Sequence, residues 1–268
     1  MSTMPAQAPW LLEARGVTRR FGGLVAVDGV DLCVGRGSVH GVIGPNGAGK
    51  TTLLNLVAGV HGVSSGTLHF CAREITRYST AKRARAGIRR TFQNLKLFGE
   101  MTVLDNVAIG LNAETRSGFF DAVLRTARHR REQRAIRDRS MEALRFVGLG
   151  DIAAMRAAAL AYGHRRLLEI ARAIVARPAL LLLDEPAAGL NVTEAAHVSE
   201  LIARIREAGT TVILVEHHMD VVMRVSDEIT VLNYGRRLAH GTPARIQEDP
   251  DVIEAYLGRS LENESAQA

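Results

Sequence analysis

The sequence predicts an α/β fold: a largely parallel sheet with helices on its faces and a helical insert between two parts of the core. Three observations carry this expectation. Residues 39–43 are apolar and run through Gly44-Pro45-Asn46-Gly47-Ala48-Gly49 into a helical pattern from Lys50 to Ala58. That is the strand–loop–helix unit of a parallel sheet. Residues 180–183 and 211–215 are short, almost continuously apolar runs, as strands covered on both faces should be. Residues 94–160 lie between these parts, are helical in propensity, and are rich in arginine between Arg125 and Arg145.

Length and composition set the frame. The 268 residues can build a buried core with a subdomain, and 47% hydrophobic residues is ordinary for a soluble globular chain. No run approaches the roughly 18 apolar residues of a membrane span; residues 179–183 stop at Asp184 and Glu185. The opening MSTMPAQAPW has no basic start and no apolar stretch, so no secretory signal is expected and the chain should stay in the cytoplasm. Cys33 and Cys71 cannot form a disulfide framework and lack metal-ligand spacing, which leaves them as small hydrophobes. A net charge of +6, mostly from arginine, suits nucleic acid, anionic headgroups or nucleotide phosphates without choosing among them.

The remaining elements follow in order. Short strands are expected at 14–17, 24–27 and 30–34, broken by glycine pairs, as an N-terminal antiparallel β subdomain. A helix is expected over 165–177, with apolar residues at Leu167, Leu168, Ile170, Ala171, Ile174 and Val175, and Pro178 ends it. Residues 193–208 are amphipathic and stop at Gly209. Residues 229–233, Tyr234-Gly235 and 238–239 suggest a closing hairpin, followed by two short helical stretches. One domain over residues 10–258 is the economical reading, with a helical subdomain at about 94–164 inserted in the core. The tails 1–9 and 259–268 are expected to be disordered.

The residues that carry chemistry cluster at strand ends. Gly44-Pro45-Asn46-Gly47-Ala48-Gly49-Lys50-Thr51 fits G-x-x-x-x-G-K-[ST] in full. Its glycines let N–H groups turn inward around phosphate oxygens. Lys50 would reach the β- and γ-phosphates, Thr51 would place a hydroxyl on Mg²⁺, and Thr52 would add a phosphate contact. A chance glycine turn is the competing reading, and the strand before and helix after argue against it. LLLLDEP ends in two carboxylates. Asp184 can hold Mg²⁺, and Glu185 can orient, or take a proton from, the attacking water. Gln93, at the boundary of core and insert, can touch Mg²⁺ or water and sense the γ-phosphate. His217 follows a strand and could donate to the γ-phosphate, with His218 as the competing candidate. Phe21, before Gly22-Gly23, could stack on adenine or be a core residue of the antiparallel sheet.

In this order Phe21, GPNGAGKT, Gln93, LAYGHRR, LLLLDEP, AAGLN and EHH resemble an ABC-type ATPase over nearly the whole chain. The resemblance implies a P-loop NTPase (RecA-like) core that binds ATP and Mg²⁺. It also implies a head-to-tail dimer with each nucleotide between one chain's phosphate loop and the other's signature motif. LAYGHRR occupies that signature. Gly163 is retained, Ala161 stands where a serine is usual, Tyr162 replaces a glycine and His164 a glutamine. Asn191 stands in the dimer-contact loop where many relatives have aspartate, and can still hydrogen-bond across the interface. RTFQNLKLF, LAYGHRRLLEIARA, DEPAAGLN and PDVIEAYLG look like the ATP-binding subunits of branched-chain amino-acid uptake systems. There Tyr-Gly is a usual form of the signature, which reads Ala161, Tyr162 and Gly163 as working nucleotide contacts.

What the resemblance implies about partners follows. A second, similar ATPase subunit (a heterodimer, with a homodimer left open), two transmembrane permease subunits and an extracytoplasmic substrate-binding protein are expected. The place implied is the cytoplasmic face of the inner membrane, with the chain bound peripherally. Other cargoes (urea, other amino acids, lipid export) stay open. A non-transport ATPase acting on nucleic acid or ribosomes is discounted, because the chain has one phosphate loop and no heptads. The arginine run at 125–134 reads first as a solvated helix face, then as a neighbour of anionic headgroups. Nucleic acid is not an expected partner, since no zinc site, recognition helix or RNA-binding aromatic motif accompanies the run.

Overall fold

The computed structural model describes residues 10–91, 97–114 and 127–256. Two sheets divide the chain. The first is antiparallel, in the order β2-β1-β4-β5, from β1 (Trp10–Phe21), β2 (Leu24–Gly35), β4 (Ser65–Phe70) and β5 (Arg73–Glu74). The three short strands expected at 14–17, 24–27 and 30–34 are instead parts of one hairpin of two long strands. Gly16 (φ 54°) and Gly29 (φ 62°) are left-handed without ending the strands, and the β1–β2 register shifts between Ala14 and Val17. A glycine at positive φ bulges a strand when a side chain takes up the orphaned N–H. Here Asp31 Oδ1 accepts from Gly16 N at 2.7 Å and Thr18 Oγ1 from Gly29 N at 3.0 Å. Only Gly22-Gly23 makes the turn.

The second sheet runs in the order β10-β9-β3-β8-β7-β6. It comprises β3 (Val39–Ile43), β6 (Ile88–Arg90), β7 (Leu180–Asp184), β8 (Thr211–Val215), β9 (Glu228–Asn233) and β10 (Arg236–Gly241). All pairs are parallel except β9–β10, the closing hairpin. The continuous apolar runs have a simple cause. Leu181, Leu183, Val212 and Leu214 face one hydrophobic cluster, and Leu180, Leu182, Ile213 and Val215 face the other. Both faces of each strand are therefore buried, and no polar alternation is needed.

Helices cover both faces. Those in and after the first half are α1 (Lys50–Ala58), α2 (Thr80–Ala86), α3 (Val103–Ala108), α4 (Ala127–Phe146) and α5 (Tyr162–Ile174). They are followed by α6 (Val192–Glu207), α7 (Met219–Val225) and α8 (Pro243–Gln247), and by a helical stretch at 250–256. Lys50–Ala58 is helical as expected. The helix expected at 165–177 begins three residues earlier, at Tyr162. α3, α4 and α5 follow β6 and precede β7 in the chain, and pack through Val103, Val107, Leu144, Val147 and Leu168. In α4, Arg130, Arg131, Arg134 and Arg137 are exposed, the solvated face expected for that run. The strands and helices of residues 65–90 and helix α7 carry no clear periodicity and were not foreseen. The expectations for Gln93 and for the two tails fall outside the described residues.

The parallel register sets up the site. Val42 and Asp184 both pair with Val215, so the loops leaving β3, β7 and β8 emerge side by side at one sheet edge. Carboxyl ends of parallel strands are where α/β sheets place ligands. Leu182 is fully buried between β6 and β8. Leu182→Ala is expected to cost about 2–5 kcal/mol in urea unfolding; a loss below about 1 kcal/mol would contradict this core assignment.

Candidate functional site

The phosphate loop leaves β3 at Gly44 and enters α1 at Lys50. Gly44 (φ 149°) and Gly49 (φ 100°) have backbones that L side chains rarely adopt. Space forbids side chains there as well. A Cβ on Gly44 would lie 2.1 Å from Leu232 O, and one on Gly49 would lie 2.4 Å from Ala26 O. The loop is pinned by main-chain bonds, Ala48 N to Pro45 O at 3.1 Å and Gly235 N to Ala48 O at 3.0 Å. Lys50 is buried, and its ammonium donates to Gly44 O at 2.7 Å and Pro45 O at 2.9 Å. An ammonium held this way faces the loop it would share with a phosphate.

A cleft of about 550 Å³ opens over this loop, and Asn46, Gly47, Ala48, Gly49, Lys50, Thr51 and Thr52 form its floor. Glu185 and His217 reach it from β7 and β8, and Leu24, Val25, Ala26, Tyr234 and Gly235 close it from the two hairpins. Phe21 is beside the cleft, not in its lining. Its main chain pairs with Leu24, while its ring meets His61 edge-on at 5.1 Å and carries the Arg19 guanidinium at 4.4 Å. The ring is 39% exposed, so it is not a core residue of the antiparallel sheet. Tyr234 and Val25 line the wall of the cleft. The signal for Tyr234 was its place in the hairpin turn at φ 45°, a conformation the sequence alone does not reveal.

Asp184 ends β7 and is fully buried. Arg90 Nη2 donates to its Oδ2 at 2.7 Å, and Oδ1 has no hydrogen-bond partner among the described residues. Burial raises the Asp184 pKa above its usual value, and the Arg90 contact opposes that rise. Arg90 also donates to Asn55 Oδ1 of α1, so it ties three elements together. Glu185 follows at φ 50°. Its Oε1 lies 2.9 Å from His217 Nε2. Of the two candidate histidines, His217 is the one that lines the cleft and whose ring reaches Glu185.

The other expected nucleotide contacts gather elsewhere. Ala161 caps α5 without a side-chain bond, and a serine there would have supplied one. Tyr162 Oη donates to Ala188 O at 3.2 Å and accepts from Arg166 Nη2 at 3.4 Å. Its ring lies against Gly189, where a Cβ would meet Cε1 at 3.2 Å. A Cβ on Gly163 would sit 2.6 Å from Glu194 Oε1, so a carboxylate lies at the α5 N-terminus, where negative charge is favoured. Asn191 is the N-cap of α6 in a capping box: Oδ1 accepts from Glu194 N at 2.9 Å, and Glu194 Oε2 accepts from Asn191 N at 3.0 Å. Its carbonyl oxygen is thus spent on its own helix. None of Ala161, Tyr162, Gly163, His164 and Asn191 lines the phosphate-loop cleft.

The phosphate loop and the N-terminus of α5 thus lie at different places on the chain. The ABC transporter family pattern matches residues 27–188, from the wall of the cleft through the phosphate loop to Glu185 and beyond. The chain belongs to the ABC transporter family. A second pattern, the branched-chain amino acid ATP-binding cassette transporter, matches residues 236–261 of this cassette. The cassette is 45% identical to the high-affinity branched-chain amino acid transport ATP-binding protein BraF of Pseudomonas aeruginosa, over 93% of this chain and 98% of that protein. It is 44% identical to LivG of Escherichia coli, over 93% and 98%. Among solved structures, a nucleotide-free ATP-binding cassette from an ABC transporter matches with a TM-score of 0.81, at 30% identity over 92% of this chain and 98% of that one. The ADP conformation of an ABC transporter cassette gives 0.82, at 30% identity over 93% and 99%. The fold is therefore that of the P-loop ATPases, and this cassette binds ATP.

The capping role of Asn191 is open to a direct check. Asn191→Ala is expected to lower stability by about 0.5–2 kcal/mol in chemical denaturation, and Asn191→Asp by no more than a few tenths, since both residues cap equally well. Equal losses from the two variants would show that the cap is not what holds α6 in place.

Proposed function

We propose that this cassette is the ATP-hydrolysing motor subunit of an importer for branched-chain, hydrophobic amino acids. The observation that carries the hydrolytic part is the Glu185–His217 pair at 2.9 Å in the wall of the cleft whose floor is the phosphate loop. The cargo reading rests on the names of the BraF and LivG relatives and on the match at residues 236–261. A ribose import protein from Rhizobium johnstonii is 34% identical, over 47% of its own length. Cassettes of this family thus share sequence across cargoes, and another cargo is the second reading.

The geometry suggests how hydrolysis runs. N–H groups of residues 46–51 surround the phosphates, and Lys50 leaves its loop carbonyls for the β- and γ-oxygens. A divalent cation fits the remaining groups: Asp184 Oδ1 is a buried oxygen without a hydrogen-bond partner among the described residues, and the Thr51 hydroxyl is in the cleft. No group of three or more His, Cys, Asp or Glu side chains able to hold a metal forms among the described residues. This donor set suits Mg²⁺ completed by phosphate oxygens and water. Bound there, the ion would neutralise charge on the β- and γ-phosphates. Glu185 accepts a proton from water aligned with the γ-phosphorus. A carboxylate has room for about four hydrogen bonds, so the one to His217 orients Glu185 without exhausting it. Gln93 would report the state of the γ-phosphate to the helical insert.

The separation of the phosphate loop from the α5 N-terminus supports a head-to-tail pair, in which Ala161, Tyr162 and Gly163 face the partner's nucleotide. The partner proposed is a second, similar ATPase subunit. No described helix is long and apolar enough to cross a membrane. Transport then needs two permease subunits, fed by an extracytoplasmic binding protein. The cassette would dock on them from the cytoplasmic face of the inner membrane.

Two experiments test this. Lys50→Ala is expected to abolish ATP binding in calorimetry, and unchanged affinity would refute the phosphate-loop assignment. Glu185→Gln is expected to keep ATP binding while turnover falls by about 10²–10⁴-fold. Cells carrying Glu185→Gln should lose labelled leucine uptake and keep urea uptake. Intact leucine uptake alongside active purified ATPase would leave the motor standing and reject the cargo.

A further inference from the structure

Beyond the residues that face the cleft, one buried acid organises them. We propose that Glu216 is the positioning residue of the hydrolytic pair: its carboxylate fastens the loop after β8 to the loop after β7 and so holds His217 against Glu185. The proposal rests on the reading of Glu185 as the hydrolytic base.

Glu216 directly follows the apolar strand β8 and is 1% exposed. A carboxylate in such a place is costly unless its lone pairs are satisfied. Among the described residues, all its hydrogen bonds come from main-chain N–H groups. Oε1 accepts from Ala187 N at 2.6 Å, and Oε2 accepts from His217 N at 2.9 Å and His218 N at 3.3 Å. Ala187 lies two residues after Glu185, in the adjacent loop. One side chain therefore clamps the main chain on both sides of the Glu185–His217 contact.

The clamp has something to hold. Glu185 is a non-glycine residue at φ 50°, and such a backbone persists only where the surroundings over-determine it. Three bonds do so here. Glu185 N donates to Val215 O at 2.8 Å, Ala188 N donates to Glu185 O at 3.2 Å, and Ala187 N lies between them on Glu216. The choice of residue follows from the donors. Three N–H groups need an acceptor with no donor of its own, which a carboxylate is. An amide would turn its NH₂ onto one of them.

The measurement is steady-state hydrolysis of MgATP by the purified full chain, with nucleotide affinity from calorimetry. Glu216→Gln is expected to lower kcat by about 10- to 100-fold, the scale of a small misplacement of a catalytic group. KM and MgATP affinity should stay within about twofold, because Lys50 and its loop are untouched. Added to Glu185→Gln, it should cause no further loss, since it acts only through that residue. Glu216→Asp, too short to span both loops, is the second variant and should show the same split. A wild-type kcat in Glu216→Gln would overturn the proposal, and so would equal fold-losses with and without Glu185. Normal hydrolysis by Glu185→Gln alone is a separate outcome. It would reject the assignment of the base, and the positioning role with it.

Discussion

The tightest constraint in this molecule is steric and lies in the phosphate loop. Ala26 O of the antiparallel hairpin and Leu232 O of β9 approach the loop so closely that no Cβ fits at Gly49 or Gly44. This approach joins the two sheets. Asp28 N donates to Gly235 O at 2.8 Å, and Gly235 N to Ala48 O at 3.0 Å, so β2, the β9–β10 turn and the loop form one bonded unit. Because the loop is seated between two hairpins, both hairpins contribute to the cleft wall. The antiparallel hairpin is thus part of the cleft wall and not an appendage.

Charge at the strand ends is managed by pairing each buried acid differently. Asp184 is countered by Arg90, which also bonds Asn55 on α1. Glu216 is satisfied by main chain alone. Glu185 is the acid left in the cleft wall, with an imidazole to orient it. Three neighbouring carboxylates therefore have separate environments: one bonded to a cation, one to amides, one facing the cleft. Environment, more than residue type, assigns such groups their roles.

The start of α5 is held by packing. With Ala161 at the N-cap, α5 lacks the side-chain cap of a serine. Tyr162 bonds Ala188 O and covers Gly189, and Glu194 brings its charge against Gly163. The start of α5 is thus fastened to the loop that begins at Glu185, where Ala188 N bonds Glu185 O. The tyrosine at 162 is matched by contacts within the same chain.

Much of this was legible in the sequence, for physical reasons. GPNGAGKT, LLLLDEP and the apolar run before Glu216 are local patterns whose chemistry and conformation go together. They pointed to the parallel core, to helix α1, and to Lys50, Thr51, Glu185 and His217, which the fold brings to one cleft. Gly29 marks a break between 24–27 and 30–34 in the sequence where the structure has a bulge, because a bulge and a turn use the same residue and differ only in whether a distant side chain takes up the free N–H. Contacts between residues far apart in the chain were left to the tertiary structure. These include Arg90 on Asp184, Glu216 across two loops, Tyr162 on Ala188, and Tyr234 in the cleft in place of Phe21. Such pairs depend on which strands lie side by side, and sheet order is set by burial over the whole chain, not by any one stretch of it.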